Sequence, residues 1–250
     1  MSVAVVVVFQ RYVISLLSDK FSELGFTSTN SDSVKTRYLR EKLVKMACEH
    51  GYASCTEGAM QYFTSWLNSN IQIPVDVRTT VYSVGVANSD ASQWQVLWDL
   101  SNTVTSTDDK LSLREGLTKS TEPWVLNRYM MWCVNNSIIS SGGERLITRV
   151  SESPIGSGLA VDFVIEHFDD ILESTRGNVW ALTRIWKTLR SVNRNSQLQQ
   201  FMSMRNKLPQ SAGVKKAFDI AVDHVKININ WLEKYERDVA RFLDENFPNA

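Results

Sequence analysis

Proline and glycine are scarce in this sequence: five Pro and eleven Gly in 250 residues. Typical usage is about 5% and 7%, so strand-and-turn architectures, which need many such residues at their corners, lose support. Histidine is scarcer still. His50, His167 and His224 lie far apart, and none has a second His three or four residues away. An H-E-x-x-H helix, which sets two imidazoles on one face beside a general base, is therefore absent from the chain. Charge of either sign is not in excess, with 27 basic and 27 acidic residues. Nucleic-acid binding normally leaves a basic surplus, so no nucleic-acid partner is expected. The longest apolar run, at residues 1–9, is far shorter than the roughly 18 residues of a membrane span. It also lacks the basic n-region and small-residue cleavage site of a signal peptide. Residues 1–8 read as an apolar leader or junction ahead of one domain over residues 9–250, with no membrane span.

What is abundant is apolar periodicity. The hydrophobic fraction is 43%, and there are eight Trp to fill a core. Tyr12, Leu16, Leu17, Phe21 and Leu24 make one helical stripe, ended by Gly25. Val34, Tyr38, Leu39, Leu43 and Met46 make a second, stopped at His50-Gly51. Ser54 and Glu57 have capping-box spacing for a third helix. Pro74 suits the start of the next. Trp94, Leu97, Trp98 and Leu100 mark a further helix. Ser106 to Asp109 read as a cap for the one carrying Leu111, Leu113 and Leu117. Pro123 suits a first turn, and Gly142-Gly143 precedes Leu146, Ile147 and Val150. Helices are expected over about 159–172 and 180–189, and a last long one over 214–247 with a bend near Asn228 to Asn230. About a dozen helices with short links predict an all-α fold. Their pairing suggests a curved bowl of antiparallel helices, an α-solenoid of the armadillo or HEAT kind.

The chain offers little catalytic chemistry. Glu57-Gly58-Ala59-Met60 continues with Gln61-Tyr62, so it reads as the inside of an amphipathic helix. Gly156-Ser157-Gly158 lacks the Lys-Ser/Thr of a phosphate loop and the strand of a nucleophile elbow, and reads as a loop and helix start. Cys48 closes one helix and Cys55 opens the next. Along an unbroken helix they would stand about 10 Å apart, whereas a helical hairpin brings them within reach. A disulfide and two buried thiols both fit that spacing. Cys133 reads as a core residue. Asn135-Asn136-Ser137 is a glycosylation sequon, making Asn135 a candidate acceptor in the secretory pathway. Arg184, Lys187, Arg190 and Arg194 form a basic ridge. It reads either as a solvated helix face or as a set of contacts for a carboxylate such as a peptide C-terminus.

Several stretches taken in order carry a resemblance. They are Ile73-Pro74-Val75-Asp76-Val77-Arg78 with Val81-Tyr82, then Trp94 to Trp98, then Asp109-Lys110-Leu111. Glu122-Pro123-Trp124-Val125-Leu126-Asn127-Arg128-Tyr129 follows, then Ser153-Pro154-Ile155-Gly156 with Leu159 to Val164. Gln197-Leu198-Gln199-Gln200-Phe201 and Asn228-Ile229-Asn230-Trp231-Leu232 complete the set. In this order and spacing the chain resembles the C-terminal helical domain of M1-family zinc aminopeptidases, the class of aminopeptidase N and the endoplasmic-reticulum aminopeptidases, over roughly Phe9 to Phe247.

That resemblance implies a bowl of paired helices. It would wall the peptide-substrate chamber over a thermolysin-like catalytic domain and support folding of the whole enzyme. It places zinc, the catalytic Glu and the amine-binding motif in that other domain, so this chain carries no cofactor and is expected to be inactive alone. It implies a Cys48–Cys55 disulfide, while a second family pair falls at Ser83 and Lys119, where neither Cys is present. It also implies an extracellular or lumenal setting as part of an ectoenzyme, against a cytoplasmic one if the chain is expressed alone. The competing expectation is a stand-alone α-solenoid that binds a partner protein and has no peptidase role.

Overall fold

A computed structural model of the chain describes residues 3–135 and 142–247. Every regular element among the described residues is helical. The helices are α1 (Val3–Leu24), α2 (Val34–Glu49), α3 (Ala53–Ser69), α4 (Arg78–Ala87), α5 (Ala91–Thr103), α6 (Thr107–Leu117) and α7 (Pro123–Val134). They continue with α8 (Gly143–Val150), α9 (Pro154–Glu166), α10 (Phe168–Thr175), α11 (Val179–Trp186), α12 (Asn195–Ser203) and α13 (Ala212–Asn246). Short 3-10 turns occupy Val75–Val77, Lys187–Ser191 and Met204–Lys207. The chain forms two compact units: α1 to α6 with the last turns of α13, and α7 to α12 with the rest of α13.

In the first unit, α1 packs on α2, α2 on α3, α3 on α4, and both α4 and α5 on α6. Gly25 and Gly51 end α1 and α2 with φ of +52° and +77°, the left-handed region where a side chain is disfavoured. The Gly51 turn reverses the chain, so Cys48 and Cys55 lie with Cα atoms 5.2 Å apart and form a disulfide. Close helix approach needs two further glycines. A Cβ on Gly85 of α4 would strike the Phe63 ring of α3, and one on Gly116 of α6 would meet Tyr82 of α4. Buried Trp94 donates its indole N–H to the Leu117 carbonyl at 3.0 Å, tying α5 to the end of α6. Tyr12 of α1 lies against Phe247 and Phe242, with ring centroids 4.9 and 6.3 Å away.

Two expectations change here. The stripe read on α2 is not its buried face. Leu43 is buried, but Val34, Tyr38, Leu39 and Met46 are exposed, and Arg40, Val44, Ala47 and Cys48 point inward instead. The cause is Arg40, 2% exposed, whose Nε donates to the Leu24 carbonyl at 3.1 Å and whose Nη2 pairs with Asp32 at 2.7 Å. A buried guanidinium that loses its carboxylate or helix-end carbonyl is left uncompensated at high cost, so these partners, with buried Val44, Ala47 and disulfide-bonded Cys48, hold the helix in this rotation. The Ser54/Glu57 capping box is not used either. Helix α3 begins at Ala53, and Tyr52 caps it through its backbone carbonyl, which accepts from Cys55 and Thr56 N–H. The capping box that does form is Asp90 with Gln93, at the start of α5.

In the second unit, α7 packs on α8 and α9, α8 on α11, and α9 on α10. The stretch expected as one helix over 159–172 starts earlier, at Pro154, where the Ser153 hydroxyl accepts from Gly156 N–H. It breaks at His167, which ends α9 and precedes α10. The break lets Phe168 and Ile171 join the interior, both with at most 1% exposure, and that burial outweighs one interrupted turn. Beyond Trp186, α11 tightens into the 3-10 turn, so the expected helix over 180–189 is two elements. Helix α12 lies where the periodicity indicated none. The bend expected at Asn228 to Asn230 interrupts nothing, because α13 is one helix of 35 residues. Asn228 directs its side-chain amide to the Arg190 carbonyl at 2.6 Å, away from its own helix backbone. The core is an aromatic cluster: Trp186 meets Phe168, Phe201 and Phe218 at 5.3 to 5.7 Å, and Phe201 meets Phe218 at 4.3 Å.

Candidate functional site

The second unit holds a cavity of about 280 Å³, built from the ends of four helices. Cys133 and Val134 close α7, Gly142 and Glu144 open α8, Ser174 and Thr175 close α10, and Asn178 to Ile185 follow along α11. Three local rules make this junction. Gly142 takes φ +79° to enter α8, and a Cβ on Gly143 would collide with the Cys133 carbonyl, so α8 approaches the end of α7 closely only with glycine there. Arg176 and Gly177 are both left-handed and end α10. Asn178 then caps α11, its Oδ1 accepting from Trp180 and Ala181 N–H. Ile147, Ile171 and Ile185 give the cavity an apolar floor, and Glu144 and Arg184 supply its charges.

Of the four ridge cations, Arg184 alone borders this cavity. Its Nη1 donates to Glu144 Oε1 at 2.7 Å. Its backbone carbonyl also accepts from the Thr148 hydroxyl at 2.9 Å, fastening α11 to α8. Lys187 and Arg190 sit in the 3-10 turn that follows α11, and Arg194 precedes α12, so the four do not share one α-helix. All four side chains are exposed. Trp180, one turn before Arg184, is 77% exposed and is the most open large apolar side chain among the described residues of the second unit.

The remaining candidates are dispersed. Asn135 is exposed at the end of α7, while Asn136 and Ser137 lie outside the described residues. Cys133 is buried in α7. Ser83 donates its hydroxyl to the Thr79 carbonyl, and the Lys119 ammonium donates to the Arg149 carbonyl, so each position has its own local use. Gly58 lies inside α3 against the Phe26 ring, as an amphipathic-helix reading requires. The histidines do not converge. His50 Nδ1 lies 2.9 Å from the Met46 carbonyl, His167 Nδ1 3.1 Å from Asp170, and His224 is exposed on α13. Among the described residues no three His, Cys, Asp or Glu side chains form a group that would hold a metal ion. No helix among them is long and apolar enough to cross a membrane.

Shifted titrations point to structural roles. Asp32 is held below its ordinary range by the Thr29 N–H, then by the Thr29 hydroxyl and Arg40. Burial pushes the Tyr82 phenol up, against a smaller pull from Arg78. Both groups belong to the first unit, and neither lines the cavity. The Glu144–Arg184 pair was not legible in the sequence. Its members are 40 residues apart, and only a charge in the first turn of α8 hinted that Glu144 had a special place.

Comparison with known proteins places this geometry in context. A sequence model of the ERAP1-like C-terminal domain matches residues 4–227. Human aminopeptidase N is 25% identical over 225 residues, covering 86% of this chain and 23% of that protein. Rat thyrotropin-releasing hormone-degrading ectoenzyme is 26% identical over 250 residues, covering 94% and 23%. Rat endoplasmic reticulum aminopeptidase 1 is 25% identical over 230 residues, covering 90% and 24%. The chain thus spans about a quarter of the length of these curated relatives.

Proposed function

Because the chain belongs to the ERAP1-like C-terminal domain family, we propose that it works as the non-catalytic C-terminal domain of an M1-type zinc aminopeptidase. In this role residues 9–250 form one functional domain, with residues 1–8 as an apolar lead-in. The domain walls the chamber in which peptides lose their N-terminal residues and supports folding of the enzyme. The observation that carries the reading is the family match along residues 4–227, nearly the whole chain. The disulfide within the α2–α3 hairpin adds support for an extracellular or lumenal setting, since such bonds persist in oxidising compartments.

The residues present do not fit a zinc centre. Two of the three histidines are turned to neighbouring groups on their own segment, and among the described residues neither belongs to a group of three metal-ligating side chains. In this reading zinc and the water it activates belong to a thermolysin-like domain on other polypeptide. The contribution of this chain is shape and charge. The exposed cations Lys187, Arg190 and Arg194, with Arg184 at the cavity mouth, suit the C-terminal carboxylate of a peptide whose N-terminus lies at the zinc.

Two measurements test the role. The purified chain is expected to leave an alanyl anilide intact with zinc supplied, and anilide hydrolysis coupled to stoichiometric zinc uptake overturns the assignment. A fluorescent peptide with a free C-terminal carboxylate is expected to bind more tightly than the same peptide amidated. Equal binding removes the ridge from the substrate path.

A further inference from the structure

The four cations of the ridge are not equivalent. Lys187, Arg190 and Arg194 make no ion pair among the described residues, whereas the charge of Arg184 is already answered by Glu144 at 2.7 Å. The two partners differ in setting. The Glu144 side chain is 15% exposed and the Arg184 side chain 54%, so the carboxylate sits on the protein side of the pair and the guanidinium faces solvent. A guanidinium has five N–H donors, and one is used here, so a second acceptor has room to approach from outside. The Thr148 hydroxyl holds the Arg184 carbonyl independently, so the position of α11 does not hang on the ion pair alone.

Resting on the reading of the ridge as a peptide-carboxylate contact, we propose that Glu144 is a built-in competitor for that carboxylate. A peptide C-terminus engages Lys187, Arg190 and Arg194 directly, but at Arg184 it meets a guanidinium whose charge Glu144 already answers. The Glu144 carboxylate, held beside the same guanidinium, repels the incoming one, so Glu144 keeps affinity low and release fast. Such a brake suits a chamber wall that must let shortened peptides go.

The test measures binding of a fluorescently labelled peptide, as free acid and as C-terminal amide, to the wild-type chain and to Glu144→Gln. Glu173→Gln, at an exposed acid on α10 that forms no ion pair among the described residues, supplies the effect of one lost negative charge that answers no ridge cation. Glu144→Gln is expected to tighten the free acid by about three- to tenfold and leave the amide unchanged. Glu173→Gln is expected to shift both by less than about twofold. Glu144→Ala serves as the second variant should the glutamine form lose its helical circular dichroism. Equal effects of the two glutamine substitutions, or equal tightening of acid and amide, overturn the competitor. If the wild-type chain itself does not distinguish acid from amide, the ridge reading has failed and the competitor falls with it. If it does distinguish them and Glu144→Gln behaves as wild type, only the competitor has failed.

Discussion

In the first unit, helix α2 is tied to its surroundings by bonds that can be named one at a time. A disulfide joins it to α3, and the buried Arg40 joins it to the end of α1 and to Asp32. In the second unit, the described residues hold no disulfide. Its interior is a set of stacked and tilted rings around Trp186, and its polar links, such as Lys207 to Asp169 and Arg184 to Glu144, lie toward the surface. Surface ion pairs are weak enough to exchange partners, which is what the proposed role of the ridge asks of this unit.

The contrast can be broken most directly at the ring cluster. Phe218→Ala, at a fully buried ring touching both Trp186 and Phe201, is expected to cost about 3–5 kcal/mol in chemical denaturation. A loss near 1 kcal/mol would mean that the second unit is held by something other than its rings. Removing the staple comes next. Replacing Cys48 and Cys55 together by Ala opens a loop closed across a separation of 7 residues, worth about 2.4 kcal/mol by chain entropy. Dithiothreitol should reproduce that loss in the wild-type chain and do nothing to the double variant.

The acid side sharpens the comparison further. The folded Asp32 carboxyl titrates below its ordinary value of 3.8, because Thr29 and Arg40 favour its charged form. Its contribution to stability is therefore complete above the unfolded value and disappears as pH falls through the lower, folded one. Melting temperature followed from pH 5 to pH 2 should fall less steeply in Asp32→Asn, and parallel curves would remove Asp32 from the account. The smallest effect belongs to the ridge. Lys187→Gln should change stability by less than about 0.5 kcal/mol, as exposed substitutions generally do, yet weaken a free-acid peptide more than its amide.

Much of the fold was written in local chemistry. Gly25 and Gly51 stop helices because only glycine adopts positive φ cheaply, and Pro123 opens α7 because a first turn needs no N–H there. Those signals act over four residues and survive in any context. The α2 face did not read correctly, because counting apolar residues cannot see a buried arginine whose partners are a loop carboxylate and the end of another helix. The break at His167 failed for a similar reason. Nothing at His167 forbids a helix, and the turn follows from where Phe168 finds its ring partners.

The candidate site divides the same way. Its cations and the Cys48/Cys55 pair stand in the sequence as residue types, and family resemblance joined them to a role. Which cation is already neutralised was decided only when α8 and α11 came side by side. By itself the sequence determined that the chain is helical, where most helices begin and end, and that it lacks paired histidines for zinc. Tertiary structure alone decided which face of α2 is inside, where α9 gives way to α10, and that Glu144 answers Arg184. Helix signals are carried by neighbours a few bonds apart, whereas charge pairing and ring packing depend on distances that the folded chain sets between residues far apart along it.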